Sequence, residues 1–380
     1  MAGRLPAAPP ILSGFTYVRP LGTGGFADVF LFEQNMPRRP VAVKVLLQDI
    51  VDDGLLRMFN AEADVMARLS AHPSILTIYQ ASVSADGRPY IVMEHCPNSM
   101  TNRYRRELIP VAEIVALGVK IGSALETAHR AGLLHRDIKP SNILMTAFGA
   151  PVLSDFGIAA SINARGDGEV FAMSVPWSAP EVVDESISGS IPSEVWSLGA
   201  TIYTLLAGRS PFEIAGSGQN GRDQLKGRIR KAQYTPIGRS DVPPSLEAVL
   251  QRSMSKDPAR RQASAAQFAY ELQVVQHEMG LPSTPLEVAV DEWAAAGAAI
   301  DFQDNSMRGP VRPTVEHASR RPQRAPRPAA RRVSLDGTVL AGSSPSRPAR
   351  SRWLIPTIIA GAVVGGAAAT VTVLALTGVF

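Results

Sequence analysis

The chain has 380 residues, 45% of them hydrophobic, enough for one or two ordinary domains with a sizeable core. Its net charge is only +4, and residues 303–352 alone hold eleven arginines against Asp304, Glu316 and Asp336, a local net of +8 that leaves −4 for the rest. That excludes a nucleic-acid footprint spread over the whole molecule, and the single cysteine, Cys96, excludes an intramolecular disulfide or a multi-cysteine metal site.

No apolar stretch follows Arg4 in MAGRLPAAPP, so no secretory signal is visible, and one lone thiol suits a reducing compartment. Residues 1–13 are rich in Pro and Ala and read as loose. From 14 to 277 the apolar pattern is periodic. Phe15–Pro20, Asp28–Glu33 and Val41–Leu46 are β-branched or aromatic runs broken by Gly and Pro, which predicts three strands. Met58–Leu69 predicts a helix, and Ala81–Val83 and Tyr90–Glu94 predict two strands around an Ala-Asp-Gly-Arg turn. After Met100 the pattern is mostly helical. Strands followed by helices predict an α+β fold with a small β-rich lobe (14–95) and a larger helical lobe (96–277). Residues 278–352 turn to Pro, Arg, Ala and Ser and read as a linker, with a weak helical signal at Leu286–Ile300. Residues 353–380 carry no charged side chain.

Gly22-Thr23-Gly24-Gly25-Phe26-Ala27-Asp28-Val29 places glycines between two strands, where backbone can approach phosphate oxygens. Alone it also fits a dinucleotide turn or a plain hairpin. Lys44, in Val41-Ala42-Val43-Lys44, then stands on the next strand, where a dinucleotide fold would want an acid for ribose. His135-Arg136-Asp137-Ile138-Lys139-Pro140-Ser141-Asn142 follows, then Asp155-Phe156-Gly157 and Ala179-Pro180-Glu181. In this order and spacing the chain resembles the eukaryotic-like (Hanks-type) protein kinases over residues 14–276, and in its order of parts the bacterial membrane-anchored Ser/Thr members.

The resemblance implies a transferase that uses ATP with Mg²⁺, or Mn²⁺ in its place, to phosphorylate proteins, itself among them. Lys44 would hold the α/β-phosphates and pair with Glu62; Asp155 and Asn142 would hold the metal. Asp137 would take the substrate's proton, and Lys139 would offset charge on the γ-phosphoryl group. The glycine-rich run 22–29, in family terms, covers the phosphates. The carbonyl of Glu94 and N–H of Cys96 would bind adenine between Leu21, Val29, Ala42 and Leu144. Asp137-x-Lys139-Pro140-x-Asn142 matches the Ser/Thr members, whereas tyrosine-specific members carry a run such as Ala-Ala-Arg.

Several positions depart from the family. Ala27 replaces the third glycine, tolerable if its φ is negative. Glu194 stands where Asp precedes x-Trp-Ser-Leu-Gly, and this longer acid must still reach the catalytic-loop backbone. Arg261, with Arg260 as the alternative, would pair with Glu181. Arg136 is usually matched by a phosphorylated loop residue, yet between Ile158 and Ser174 the hydroxyl residues reduce to Ser161. Either Asp167 or Glu169 supplies that anion, or the loop is simply a mobile acidic one. Ser174 falls at the family's threonine and reads as structural, as a phosphosite, or as both. Ser334 and Thr338, beside Arg331 and Arg332, are further candidate phosphosites or an unmodified linker.

The uncharged end is 28 residues long, and about 20 suffice to cross hydrocarbon, so a single span with Trp353 at one interface is expected. Arg347, Arg350 and Arg352 beside it lead to the expectation of a kinase on the cytoplasmic side of the cell membrane, without an outer sensor domain. Gly361 and Gly365 form a small-xxx-small pair that would permit a homodimer. Expected partners are protein substrates and membrane lipid, not nucleic acid. Two other readings, a pseudokinase scaffold and a small-molecule kinase, sit badly with Lys44, Asp137 and Asp155 and with Lys139-Pro140 and the 179–181 motif respectively.

Overall fold

The computed structural model describes residues 4–288, apart from 26, 49–58, 60–62, 64, 65, 157–173 and 217. These lie in the first of two units of the chain, residues 1–309. Phe26, Glu62, Ser161, Asp167, Glu169, Ser334, Thr338, Gly361, Gly365 and the span 353–380 lie outside the described residues. So does most of the helix expected at 286–300; its described part, 286–288, is not helical. Among the described residues no helix is long and apolar enough to cross a membrane.

The first lobe is an antiparallel sheet of β1 (Phe15–Thr23), β2 (Ala27–Asn35), β3 (Arg38–Leu46), β4 (Ile78–Val83) and β5 (Pro89–Glu94), ordered β1-β2-β3-β5-β4. The strands outrun the expected segments at their ends because hairpin pairing extends them into residues of low strand propensity. Pro40 is tolerated in β3 because it pairs only with β2, at Glu33, before β5 joins at Val41. The alternation of β2 and β3 gives the sheet two characters. Phe30, Phe32, Val41, Val43 and Val45 form an outer apolar layer, while Val29, Leu31, Ala42 and Lys44 face the other way.

Two expectations fail at the edges of this domain. Within the Pro/Ala-rich start, residues 4–12 are not loose. Leu12 is buried in the outer layer, worth roughly 1.5–3 kcal/mol for such a side chain. Arg88 donates to the carbonyl of Ala8 at 3.0 Å, and the Ala7 N–H donates to Asp28 at 2.7 Å. The linker likewise does not begin at 278. Thr284 is buried and exchanges hydrogen bonds with Gln276 (2.7 and 2.8 Å), and the Glu287 carbonyl lies 2.6 Å from His72 Nε2. Proline-rich composition signals low propensity for helix or strand, which is not the same as freedom.

Between the lobes, helical residues 66–69 end a segment whose buried side chains, Phe59, Ala63, Met66 and Leu69, repeat at helical spacing. The second lobe begins with β6 (Asn98–Ser99), α1 (Met100–Tyr104) and α2 (Val111–Arg130), then β7 (Ile143–Met145) and β8 (Pro151–Leu153), which pair in the order β6-β7-β8. It continues with α3 (Pro180–Val183), α4 (Ile191–Ala207), α5 (Arg222–Lys231), α6 (Pro244–Ser253) and α7 (Ala265–Glu278). Helix α2 is buried on nearly all sides. It approaches α7 so closely at Gly122 that a Cβ there would lie 2.9 Å from that of Ala269. This packing fixes the loop from 131 to 142 that leaves α2.

Candidate active site

The glycine-rich hairpin closes through the Gly24 N–H, which donates to the Ala27 carbonyl at 2.9 Å. A Cβ on Gly24 would sit 3.0 Å from that same carbonyl oxygen, a tight approach that would make the tip shift. Ala27 sits in β2 opposite Leu46, and its φ is not in the left-handed region, so alanine is tolerated in place of the third glycine. Val29 lies opposite Lys44, and Ala42 opposite Met93, so these side chains share the sheet's inner face. Leu21 is partly exposed at the hairpin. Glu94 ends β5, and half-buried Cys96 follows it; burial pushes the Cys96 thiol up to about 12. Leu144 is only half-buried, while its strand neighbours Ile143 and Met145 join the second lobe's core.

Asp28 corrects the sequence reading. As a residue adjacent to Val29 it must point to the opposite, outer face, where its carboxylate is 1% exposed and bonded by Arg4 and the Ala7 N–H. Its side chain is not aimed at a nucleotide; only its backbone belongs to that face of the hairpin.

Lys44 Nζ lies 2.5 Å from Asp155 Oδ1, joining the two lobes. The Lys44 ammonium holds the Asp155 carboxyl below the ordinary carboxylate range. The Asp155 side chain remains 42% exposed, so the pair is open to solvent and to ligand. Ser154 Oγ lies 3.2 Å from Asp155 Oδ2 and 3.2 Å from the Asn142 carbonyl, tying the two positions together.

Asp137, Lys139, Asn142 and Ser174 meet in one cluster. Lys139 Nζ donates to Asp137 Oδ2 at 2.6 Å and to Ser174 Oγ at 2.9 Å. Asn142 Nδ2 donates to the Asp137 carbonyl at 2.8 Å and its carboxylate at 3.1 Å. Ser174 thus bonds directly to the lysine of the Asp137-x-Lys139 run. The oxygen donors Asp155 and Asn142 suit a hard divalent cation. Among the described residues no three of His, Cys, Asp or Glu gather to hold a metal alone, so an ion here would take further ligands from phosphates and water.

Arg136 (φ 64°) and Asp155 (φ 60°) both adopt the left-handed region, at a typical cost of about 1–3 kcal/mol each for non-glycine residues. Glu194 supplies one restraint. Its Oε1 accepts the Arg136 N–H at 2.5 Å, and its Oε2 lies 2.6 Å from His129 Nε2 on α2. The longer acid thus reaches the loop and a helix at once. His129, Ser154 and Thr201, which donates to the Ile138 carbonyl at 3.3 Å, escaped the sequence reading. The available signal was polarity at core positions, for example His129 at the end of a buried helix. Glu194→Ala is expected to lower stability by about 1.5–3 kcal/mol, the worth of hydrogen bonds to a charged group, and Glu194→Asp by less; denaturant melts check both.

His135 is fully buried against Phe156, with ring centroids 4.6 Å apart. Its Nδ1 accepts the Asp137 N–H at 3.2 Å while Nε2 lies 2.8 Å from the Ser154 carbonyl, the pattern of a neutral ring donating from Nε2. His72 repeats it, with Nδ1 accepting the Ser74 N–H at 3.0 Å. Burial lowers the pKa of both. Below the unfolded value of 6.5 the unfolded chain takes up protons that these rings refuse. Stability should then fall with falling pH, by up to about 1.4 kcal/mol per pH unit for each ring. A melting temperature unchanged between pH 7.5 and 5.5 would contradict this.

Glu181 and Arg261 form a bidentate pair at 2.6 and 2.9 Å, which decides for Arg261 over Arg260.

The sequence profile described as "Protein kinase domain" matches residues 15–277. Over 309 residues the chain is 38% identical to the serine/threonine-protein kinase PknK of Mycobacterium tuberculosis, covering 80% of this chain but only 28% of that protein. It is 32% identical over 275 residues to PknB of Mycolicibacterium smegmatis, covering 70% and 43%. The crystal structure of a point mutant of the Mycobacterium tuberculosis PknI kinase domain superposes with a TM-score of 0.52 at 27% identity, covering 70% of this chain and 98% of that one.

Proposed function

The chain belongs to the protein kinase family, and from that premise we propose that it transfers the γ-phosphoryl group of ATP to serine or threonine hydroxyls of proteins, its own included. The observation that carries this is the Asp137–Lys139–Ser174–Asn142 cluster, set below a Lys44–Asp155 pair that joins the lobes.

Lys44 binds the α/β-phosphates, with Glu62 as its partner, and the inner face of the hairpin covers them. Leu21, Val29, Ala42 and Leu144 wall the adenine, whose edge bonds to the backbone of Glu94 and Cys96. Asp155 and Asn142 would hold Mg²⁺, which when bound supplies charge neutralisation for the phosphates. The substrate oxygen attacks the γ-phosphorus, its proton passes to Asp137, and ADP leaves with the electron pair of the broken P–O bond. Lys139 offsets charge on the transferred group. Similarity to the named Ser/Thr kinases and the Asp137-x-Lys139-Pro140 run support the preference for serine and threonine.

Residues 353–380 serve as a membrane anchor with the kinase on the cytoplasmic side, a reading supported by their lack of charge and the adjoining arginines. The anchor would meet lipid and allow dimerisation through Gly361 and Gly365. Ser161, Ser174, Ser334 and Thr338 are candidate sites of self-phosphorylation.

The test uses the full chain with radiolabelled ATP and Mg²⁺, a generic protein substrate, and phosphosite mapping. Label on serine or threonine, absent with Asp137→Asn, is expected; no label above that variant sinks the proposal. Fractionation of cells expressing the full chain and residues 1–352 tests the anchor, which fails if both stay soluble.

A further inference from the structure

The outer face of the nucleotide hairpin carries a buried charge that the transfer chemistry does not use. Asp28 is 1% exposed, on the opposite side of β2 from Val29. Among the described residues its bonded partners are the Arg4 guanidinium and the Ala7 N–H, both from the segment before β1. Arg4 also reaches the Gly24 carbonyl, at the long distance of 3.5 Å. Both ends of the glycine-rich turn, Gly24 going in and Asp28 coming out, are thus touched by one arginine.

The segment has its own footing. The Ala8 carbonyl accepts from Arg88, a buried residue of the β4–β5 turn that is itself paired with Asp86 at 2.6 Å. Leu12 is buried among Phe30, Phe32, Val43 and Tyr90. A buried carboxylate is tolerated only where partners are supplied, and here residues 4–7 supply them. Without them Asp28 must seek water, which means pulling the start of β2 away from its place.

We propose that residues 4–12 are a strap that presets the glycine-rich loop for nucleotide, with Arg4 and Asp28 as positioning residues. The inference rests on the kinase reading above. A loop held from outside loses less freedom when it closes on phosphates, so nucleotide binding gains while the groups of the transfer step, Lys44, Asp137 and Asp155, are untouched.

The test compares the full chain with Arg4→Ala, Asp28→Asn, their double variant and a deletion of residues 2–9, measuring ADP affinity by calorimetry and KM for ATP and kcat in phosphate transfer. The Arg4 side chain is 44% exposed, and melting curves of every variant, Arg4→Ala included, establish that each is folded at the temperature of the binding measurement. The expected result is a roughly 3- to 10-fold rise in ADP Kd and ATP KM, kcat within about twofold, and no added effect of Arg4→Ala once Asp28 is Asn. Arg4→Lys should recover part of the loss. Affinity unchanged in Arg4→Ala and in the deletion overturns the strap, as does an effect on kcat alone. A parent chain that binds ADP but transfers no phosphate overturns the kinase reading only, since the strap is still read by Kd; one that binds no nucleotide overturns both.

Discussion

Replacing Asp137 with Asn is expected to cut phosphate transfer by about 10²- to 10⁴-fold, the range supplied by a positioned general base, while leaving the domain folded. Asn is isosteric, so the backbone of the loop keeps its place. The Asp137 carbonyl still receives the Asn142 amide at 2.8 Å, and the N–H of residue 137 still reaches His135 Nδ1. What changes is the acceptor. The carboxylate that takes Lys139 at 2.6 Å becomes a neutral amide, unable to accept a proton from a substrate hydroxyl. Thermal melting and turnover at saturating ATP separate the two effects: the melting temperature should move little and kcat should collapse. Ser174→Ala makes a useful contrast, since it removes only one of the two groups bonded to Lys139.

Arg261→Ala is expected to cost about 3–5 kcal/mol of stability, the usual penalty for stripping one partner from a buried ion pair. The Arg261 side chain is 0% exposed. Besides Glu181 it donates to the carbonyls of Ser255 (2.9 Å) and Pro192 (3.0 Å) and lies 4.9 Å from the ring centroid of Trp196. Trp196 in turn stacks on Phe212 at 5.6 Å. One guanidinium therefore links α3, the start of α4 and the loop before α7. For a domain of this size the loss corresponds to roughly 6–20 °C in melting temperature. Arg260→Ala, at an exposed neighbour, should move it by less than about 2 °C. Equal shifts from the two substitutions would contradict the assignment.

Much of the candidate site's geometry was legible because the protein kinase motifs set particular residue types at particular places. Lys44, Asp137, Asn142 and Asp155 stand in short motifs whose order is itself informative, and strand alternation put Val29, Ala42 and Lys44 on one face. The same alternation excludes the Asp28 side chain from that face, a deduction open to the sequence that the motif reading obscured.

Local pattern by itself determined the strands and the helical second lobe, since propensity and period act over a few residues, while the charged residues of the candidate site were named by the resemblance of their motifs to those of the protein kinases. Tertiary structure decided whatever depended on partners far along the chain. It chose Arg261 over Arg260 across a separation of 80 residues from Glu181, and let Glu194 reach both Arg136 and His129. It also laid residues 4–12 and 281–288 on the domain although their composition argued for looseness. A proline-rich segment has little propensity for regular structure, but a buried carboxylate or an apolar layer in need of cover can hold it in place, and that need is visible only once the sheet and helices have formed.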